Sequence, residues 1–252
     1  MASTRNRLSK TQKQRRERDD NRMGEILNQR FAMQTLKPKT AKQEDLFDSY
    51  YSGKKVIANI GSAGTGKTFV SLFLALKDVM NSSTVYDKII VVRSAVQTRD
   101  QGFMPGTLQE KEAYYEGPYV DALTELFGRG DAYQMMKAKK TINFMSSSFV
   151  RGLTWDKAII IVDECQSMTL HELESIITRL GENSRVIFCG DTRQDDLATK
   201  KNRLDVSGLS SFLKVVRKMD SSDVIEFTTD DIVRSGVVKE YLVAKEQMEE
   251  FA

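Results

Sequence analysis

Residues 61 to 68 read Gly61-Ser62-Ala63-Gly64-Thr65-Gly66-Lys67-Thr68, which matches the pattern G-x-x-x-x-G-K-[ST] at every required position. This pattern is the phosphate loop. Its glycines let backbone N–H groups surround a phosphate, Lys67 neutralises β- and γ-phosphate charge, and the Thr68 hydroxyl can ligate Mg²⁺. Residues 55–60 before it form a short β-type run, and residues 69–76 behind it have helical composition, which places a helix N-terminus at the phosphates. The segment predicts a strand–loop–helix unit that binds ATP with Mg²⁺.

Two adjacent acids end a second apolar run. Residues 159–162 are Ile-Ile-Ile-Val, and Asp163 and Glu164 follow them directly. Neighbouring side chains on a strand point to opposite faces and diverge where the strand turns into a loop, so the two carboxylates can take separate roles. About a hundred residues after a phosphate loop, this is a Walker B signature. We expect Asp163 to hold Mg²⁺ together with Thr68, and Glu164 to polarise the attacking water.

Two glutamines are further candidates for the site. Residues 185–189 predict another buried strand, and Gln194 in the polar turn behind it is expected to sense the γ-phosphate or hold the lytic water. Upstream, Gln43 is expected to read the adenine edge, because a carboxamide donates and accepts hydrogen bonds at the same time.

Composition excludes several other classes of protein. The 252 residues suffice for one large α/β domain, and 29% charged with 40% hydrophobic residues is ordinary for a globular protein. No apolar run approaches the roughly 20 residues that cross a bilayer, and the basic N-terminus lacks a signal-peptide pattern, so we expect a cytosolic protein with no membrane partner. Cys165 and Cys189 are expected to be reduced core thiols. His171 is the sole histidine, which argues against a multi-ligand metal site and against a His-based triad.

Charge is distributed unevenly along the chain. Residues 1–42 carry twelve Lys/Arg against four Asp/Glu, a balance of about +8, which leaves about −5 for the rest. We predict a basic N-terminal arm, flexible or helical, over residues 1–36 and a single domain over 37–252. The arm has two open interpretations: electrostatic contact with phosphate backbones, or a solvated tail.

Alternating strands and helices predict the fold class. Near-continuous apolar runs are typical of parallel strands covered on both faces, so the chain is expected to be α/β with a parallel central sheet of the RecA-like P-loop NTPase kind. Residues 100–140 interrupt this alternation of strands and helices and predict a helical insertion. Two interpretations of its aromatic residues are open: they pack the insertion onto the sheet edge, which is favoured, or they stack on unpaired bases. They include Phe103, Tyr114, Tyr115, Tyr119 and Phe127. The predicted strands cover 88–92, 141–145, 158–162, 185–189 and 224–227, and the predicted helices 43–50, 170–180, 209–216 and 237–249.

A series of signatures in order resembles the PhoH-like ATPase family over roughly residues 36–246. The matching segments are Lys37-Pro38-Lys39-Thr40 with Gln43, the phosphate loop, Arg93-Ser94-Ala95-Val96, Gly102-Phe103-Met104-Pro105-Gly106, Leu108-Gln109-Glu110-Lys111, Arg151-Gly152-Leu153-Thr154, Asp163-Glu164-Cys165-Gln166, Gly190-Asp191 with Gln194 and Asp196, Gly208-Leu209-Ser210, and Asp231-Ile232-Val233-Arg234. The resemblance implies a single superfamily 1 helicase-like core, Mg²⁺-dependent ATP hydrolysis, a role on RNA, and an association with phosphate starvation. Small versions are common in tailed phages, which leaves a phage source and a host-cytoplasm location open.

The resemblance also implies an oligomer. Because a true helicase has a second RecA domain that this chain lacks, a cationic finger is expected from a neighbouring subunit of a homo-oligomeric ring, such as a hexamer. Arg234 is the candidate finger. Arg93 and Arg179 are its rivals, and any of the three can instead be a structural arginine. Ser94, Gln97 and Ser235-Gly236 depart from the family pattern in loops near these residues.

The sequence is compatible with three functions. The first is an ATPase that binds or remodels single-stranded RNA or DNA, with Lys67, Glu164, Gln194 and Arg234 as catalytic residues. The second is an ATP-controlled scaffold with little hydrolysis, against which Glu164 argues, because a binder needs no general base. The third, a small-molecule kinase, fits the phosphate loop but not the paired acids.

Overall fold

A computed structural model of the chain describes residues 31–94, 108–191 and 208–250. The elements in chain order are α1 Ala41–Tyr51, β1 Val56–Gly61, α2 Lys67–Val79, β2 Lys88–Arg93, α3 Leu108–Phe127, α4 Ala132–Ala138, β3 Ile142–Ser146, β4 Ala158–Asp163, α5 Leu170–Ile177, β5 Arg185–Gly190, α6 Leu209–Val216, β6 Ser222–Phe227 and α7 Val237–Glu250. The predicted strands and helices are all present, with ends shifted by three residues or fewer.

The strands form one parallel sheet, as predicted for this fold class. Their order is β3-β2-β4-β5-β1-β6, and every neighbouring pair is parallel. The carboxyl ends of all six strands therefore lie at the same edge. Strand β5 separates β1, which leads into the phosphate loop, from β4, which ends in Asp163. The loop and the acids consequently meet across one intervening strand, at the edge where ligands of open parallel sheets bind.

Helices cover both faces of the sheet. Alternate residues of a strand enter opposite cores, so Ile159 and Ile161 of β4 pack with α1 to α4, while Ile160 and Val162 pack with α5 and α6. All six residues of β4 and of β5 are buried. This two-sided burial holds the strand ends that carry the functional side chains. Within the described ranges, no helix combines the length and apolar character needed to cross a bilayer.

The predicted insertion forms α3 and α4 beside β3. Tyr119 and Phe127 are buried in the core, which confirms packing as the role of these two aromatic side chains. Tyr114 is exposed, and Phe103 lies outside the described residues.

The chain contacts the domain before the predicted boundary at residue 37. Phe31, Met33 and Leu36 pack against the core, and the backbone N–H of Gln34 donates to the carbonyl of Leu126 at 2.8 Å. Residues 31–36 therefore belong with the body, and the rest of the predicted arm, 1–30, lies outside the described residues.

Candidate nucleotide-binding site

The phosphate loop links the end of β1 to the start of α2, as its sequence predicted. Gly61 has φ +125°, and a Cβ atom there would lie 1.9 Å from the carbonyl oxygen of Phe227, so only glycine lets the loop leave β1 against β6. The Nζ of Lys67 donates to the carbonyls of Gly61 and Ser62, both at 2.7 Å. Burial lowers the pKa of Lys67, and the carboxylate of Asp191 opposes that shift. The cation thus lies inside the loop, between its backbone and the acidic strand ends.

Gln43 holds the loop from one side. Its side chain is buried, with Nε2 donating to the carbonyl of Thr65 at 2.9 Å and Oε1 accepting from the backbone N–H of Lys39 at 2.8 Å. Thr40 caps α1 and orients this turn by accepting from the N–H of Gln43 at 3.3 Å. Gln43 therefore lies beside the phosphate loop, and its carboxamide binds the loop backbone. Reading of adenine by Gln43 stays a prediction.

The segment after β6 holds the loop from the other side. The backbone N–H of Val233 donates to the carbonyl of Gly64 at 3.1 Å. A Cβ atom on Gly64 would lie 3.0 Å from Cγ of Arg234 and 3.5 Å from Cδ1 of Leu242 in α7. Arg234 is exposed. The side chain that was expected to reach a neighbouring subunit thus starts beside the phosphate loop of its own chain.

Thr68 and Asp163 join the loop to the acidic strand. The Thr68 hydroxyl donates to Oδ1 of Asp163 at 2.6 Å across 95 residues of sequence. A hydroxyl and a carboxylate are hard oxygen donors of the kind that Mg²⁺ takes, usually with several waters and substrate phosphates completing its shell. The described residues hold no group of three or more His, Cys, Asp or Glu suited to a metal. The chemistry of the donor pair fits a Mg²⁺ that a bound nucleotide would help to hold.

Glu164 follows Asp163 in a left-handed backbone conformation, with φ +52°. This conformation is uncommon for a residue with a side chain and turns Glu164 away from the line of β4. Oε2 of Glu164 accepts from Nε2 of Gln166 at 2.6 Å, and Oε1 of the same carboxamide accepts from the backbone N–H of Asp191 at 3.0 Å. Gln166 is buried. It thereby bridges the predicted base and the end of β5.

The rival arginines occupy different places. Arg93 ends β2 in register with Asp163. Burial raises the pKa of Asp163, and the charge of Arg93 opposes that rise. Arg179 follows α5, and its carbonyl accepts from the N–H of Trp155 ahead of β4, at the opposite edge of the sheet from the loop. Gln194, the expected γ-phosphate sensor, lies outside the described residues.

Two polar residues of the site had no role assigned from sequence. Gln166 was part of the matching Asp163-Glu164-Cys165-Gln166 segment, and a carboxamide two residues after the acids is a usable signal. Tyr119 was expected to pack, which it does, but its hydroxyl also donates to Oδ2 of Asp163 at 2.8 Å. No local pattern signals that second contact, because the partners are 44 residues apart.

Comparisons with known proteins place the chain in a family. It is 32% identical over 217 residues to a PhoH-like protein of Mycobacterium bovis, covering 86% of this chain and 59% of that relative. It is 33% identical over 193 residues to Protein PhoH of Escherichia coli K12, covering 76% of this chain and 53% of the relative. The chain therefore spans less than two thirds of the length of these curated relatives.

A solved structure shows a more distant likeness. The large terminase of a thermophilic bacteriophage aligns at 15% identity with a TM-score of 0.46, over 81% of this chain and 49% of that one.

The family model described as PhoH-like protein matches residues 35–246. With the phosphate loop, the paired acids and the parallel sheet all in the matched region, this chain belongs to the family of PhoH-like proteins.

Proposed function

We propose that the chain is a Mg²⁺-dependent ATPase that couples hydrolysis to binding or remodelling of single-stranded RNA or DNA in a ring of identical subunits. The observation that carries the ATPase assignment is the 2.6 Å hydrogen bond between Thr68 and Asp163. It joins the hydroxyl of a phosphate loop to the acid of a second strand, which are the two groups that would hold the metal, and a further carboxylate follows at the next residue. A loop that only bound phosphate would not need an acidic side chain from a second strand.

The residues divide the work of hydrolysis among them. Backbone N–H groups of the loop and the Lys67 ammonium bind the phosphates, and Thr68 with Asp163 holds the metal. When bound, Mg²⁺ neutralises phosphate charge and polarises the γ-phosphoryl group. Glu164 is the general base that takes a proton from the attacking water, since it is the next carboxylate after the metal ligand. Gln166 orients that carboxylate through its 2.6 Å bond.

Nucleic-acid binding is supported by charge. Residues 1–30 carry nine Lys/Arg against four Asp/Glu. Cations spaced along a polar segment bind phosphate backbones and release counterions, which makes the affinity fall steeply with salt. The expected partner is a single strand, in line with the helicase-like core that the family resemblance implies.

A ring is supported by the surface next to the loop. Leu242 of helix α7 contacts the loop region. On the same helix the apolar side chains of Val237, Tyr241 and Met248 are 78%, 66% and 75% exposed. Positions 237, 241 and 248 fall on one side of a helix with 3.6 residues per turn. A neighbouring copy that packs on this side would bury the apolar surface and lie against the nucleotide.

The decisive experiment is phosphate release from ATP and Mg²⁺, with and without single-stranded RNA or DNA, using Lys67→Ala as the blank. Glu164→Gln keeps the size and the bond to Gln166 but cannot accept the proton, so it should retain ATP binding while turnover falls about 10²- to 10⁴-fold. Stimulation by a nucleic acid supports the full proposal. Release that ignores both nucleic acids would refute the coupling, and bound ATP without release would favour the ATP-controlled scaffold.

A further inference from the structure

Both oxygens of the Asp163 carboxylate have a partner in the folded chain. Oδ1 accepts from the Thr68 hydroxyl at 2.6 Å, and Oδ2 accepts from the Tyr119 hydroxyl at 2.8 Å. Thr68 belongs to the nucleotide loop, whereas Tyr119 belongs to α3 in the helical insertion. Two hydrogen bonds at opposite ends of a carboxylate fix its rotation about χ2, a torsion that is otherwise broad.

The side chain of Tyr119 is held firmly enough to act as such a brace. It is fully buried, and its ring packs on Phe144 of β3 with centroids 5.9 Å apart. One turn earlier on α3, the buried Glu116 forms an ion pair with Lys137 of α4 at 2.5 Å. The insertion helix is thus tied to β3 at Tyr119 and to α4 one turn earlier, so the hydroxyl has little freedom to leave Asp163.

The bond between Tyr119 and Asp163 has one direction. A phenol O–H donates and a carboxylate oxygen accepts, so Tyr119 is the donor to Oδ2 and Thr68 is the donor to Oδ1. Asp163 is buried at the end of β4, so these two donors fix which of its oxygens faces the phosphate loop.

We propose that Tyr119 is a positioning residue for the Mg²⁺ of the nucleotide: it holds Asp163 so that Oδ1 faces Thr68 and the metal that both would bind. This role rests on the proposed ATPase function. It gives the insertion helix a task at the site that is separate from packing. Donors behind metal ligands act in this way in other proteins, and their loss typically weakens metal binding about 10- to 100-fold.

The chain offers a matched control for Tyr119. Tyr50 is also a buried tyrosine that donates to an aspartate, Asp78, at 2.8 Å. Asp78 lies near the end of α2, at the far end of that helix from the phosphate loop. Tyr50→Phe therefore removes the same kind of bond from the same fold without touching the metal site.

The test measures binding of a fluorescent ADP analogue to the full chain as Mg²⁺ is titrated, for the wild type, Tyr119→Phe and Tyr50→Phe. Mn²⁺ binding in the presence of ADP, followed by electron paramagnetic resonance, gives a second readout. We expect Tyr119→Phe to keep the Mg²⁺-free nucleotide affinity and to need about tenfold more Mg²⁺ and Mn²⁺. Tyr50→Phe should match the wild type in metal dependence.

Two results would overturn the role of Tyr119 and leave the proposed ATPase function standing. One is a metal dependence of Tyr119→Phe within twofold of the wild type. The other is an equal loss of nucleotide affinity with and without Mg²⁺, which would mean that the hydroxyl only supports the fold. A wild type that binds no nucleotide, or binds it without any effect of Mg²⁺, would instead refute the ATPase assignment and the role with it.

Discussion

The carboxamide of Gln166 donates to Glu164 at 2.6 Å and accepts from the backbone N–H of Asp191 at 3.0 Å. A single buried side chain thereby ties the predicted general base, at the end of β4, to the end of the neighbouring strand β5. Glu164 is in a left-handed conformation that its own backbone does not favour. Gln166 binds its carboxylate, and the backbone N–H of Ser167 donates to its carbonyl at 3.0 Å.

Gln166→Met should separate orientation from acid–base chemistry. Methionine has a similar length but cannot make either hydrogen bond, so Glu164 loses its alignment while its carboxylate remains. We expect kcat to fall about 10²-fold, the scale of a misplaced catalytic group, with a small change in ATP affinity. Loss of the bond to the Asp191 N–H should also cost about 1–3 kcal/mol of stability. Steady-state kinetics and thermal unfolding check both, and a wild-type kcat would remove Gln166 from the orientation of the base.

Gln43→Leu tests whether this side chain clamps the loop or reads the base. Because both ends of the carboxamide bind backbone groups of Lys39 and Thr65, we expect ATP and GTP binding to weaken by similar factors. Loss of these buried bonds corresponds to about 1–3 kcal/mol. Calorimetric titration with each nucleotide measures the two affinities. A loss confined to ATP would show that Gln43 recognises adenine, as the chemistry of its carboxamide predicted.

Arg234 can act within its own chain or across a subunit boundary, and mixing experiments separate the two. Its Cγ lies beside its own Gly64, so we expect a role in the same chain. Arg234→Ala should then lower turnover, and adding the inactive Lys67→Ala chain should not restore it. If Arg234 instead acts in the neighbouring subunit, a Lys67→Ala subunit still supplies an intact Arg234 to the site of an adjacent Arg234→Ala subunit. Activity would then return in mixed rings. Phosphate release across mixing ratios distinguishes these cases.

A truncation that tests the basic arm should remove residues 1–30 and keep residue 31 onward. Residues 31–36 pack against the core through Phe31, Met33 and Leu36, so a cut at 36 would also destabilise the domain. Without residues 1–30 we expect weaker binding to single-stranded RNA or DNA and a shallower dependence on salt, because fewer counterions are released. Basal ATP turnover should be unchanged. Fluorescence anisotropy at several salt concentrations measures the slope, and an unchanged slope would identify the arm as a solvated tail.

Local features of this chain were predictable because each depends on a continuous run of residues. The phosphate loop from Gly61 to Thr68 needs its glycines and lysine at set spacings, and the strands that end at Asp163 and Gly190 appear as uninterrupted apolar segments. Burial on both faces of a parallel strand leaves that signature in the sequence. The same patterns predicted that Thr68 and Asp163 act together, and the two side chains are hydrogen-bonded at 2.6 Å. Their binding of Mg²⁺ stays a prediction.

The sequence by itself therefore determined the nucleotide loop, the paired acids and the α/β class. Tertiary structure alone decided the contacts that orient them: Tyr119 on Asp163 across 44 residues, Gln43 on Thr65 across 22, and Gln166 on Asp191 across 25. It also decided that Arg234 lies against its own Gly64. Such contacts depend on the order β3-β2-β4-β5-β1-β6 and on where the helices pack, which are set by the burial of the whole core. No short run of residues carries that information, because the partners come together only when the sheet has formed.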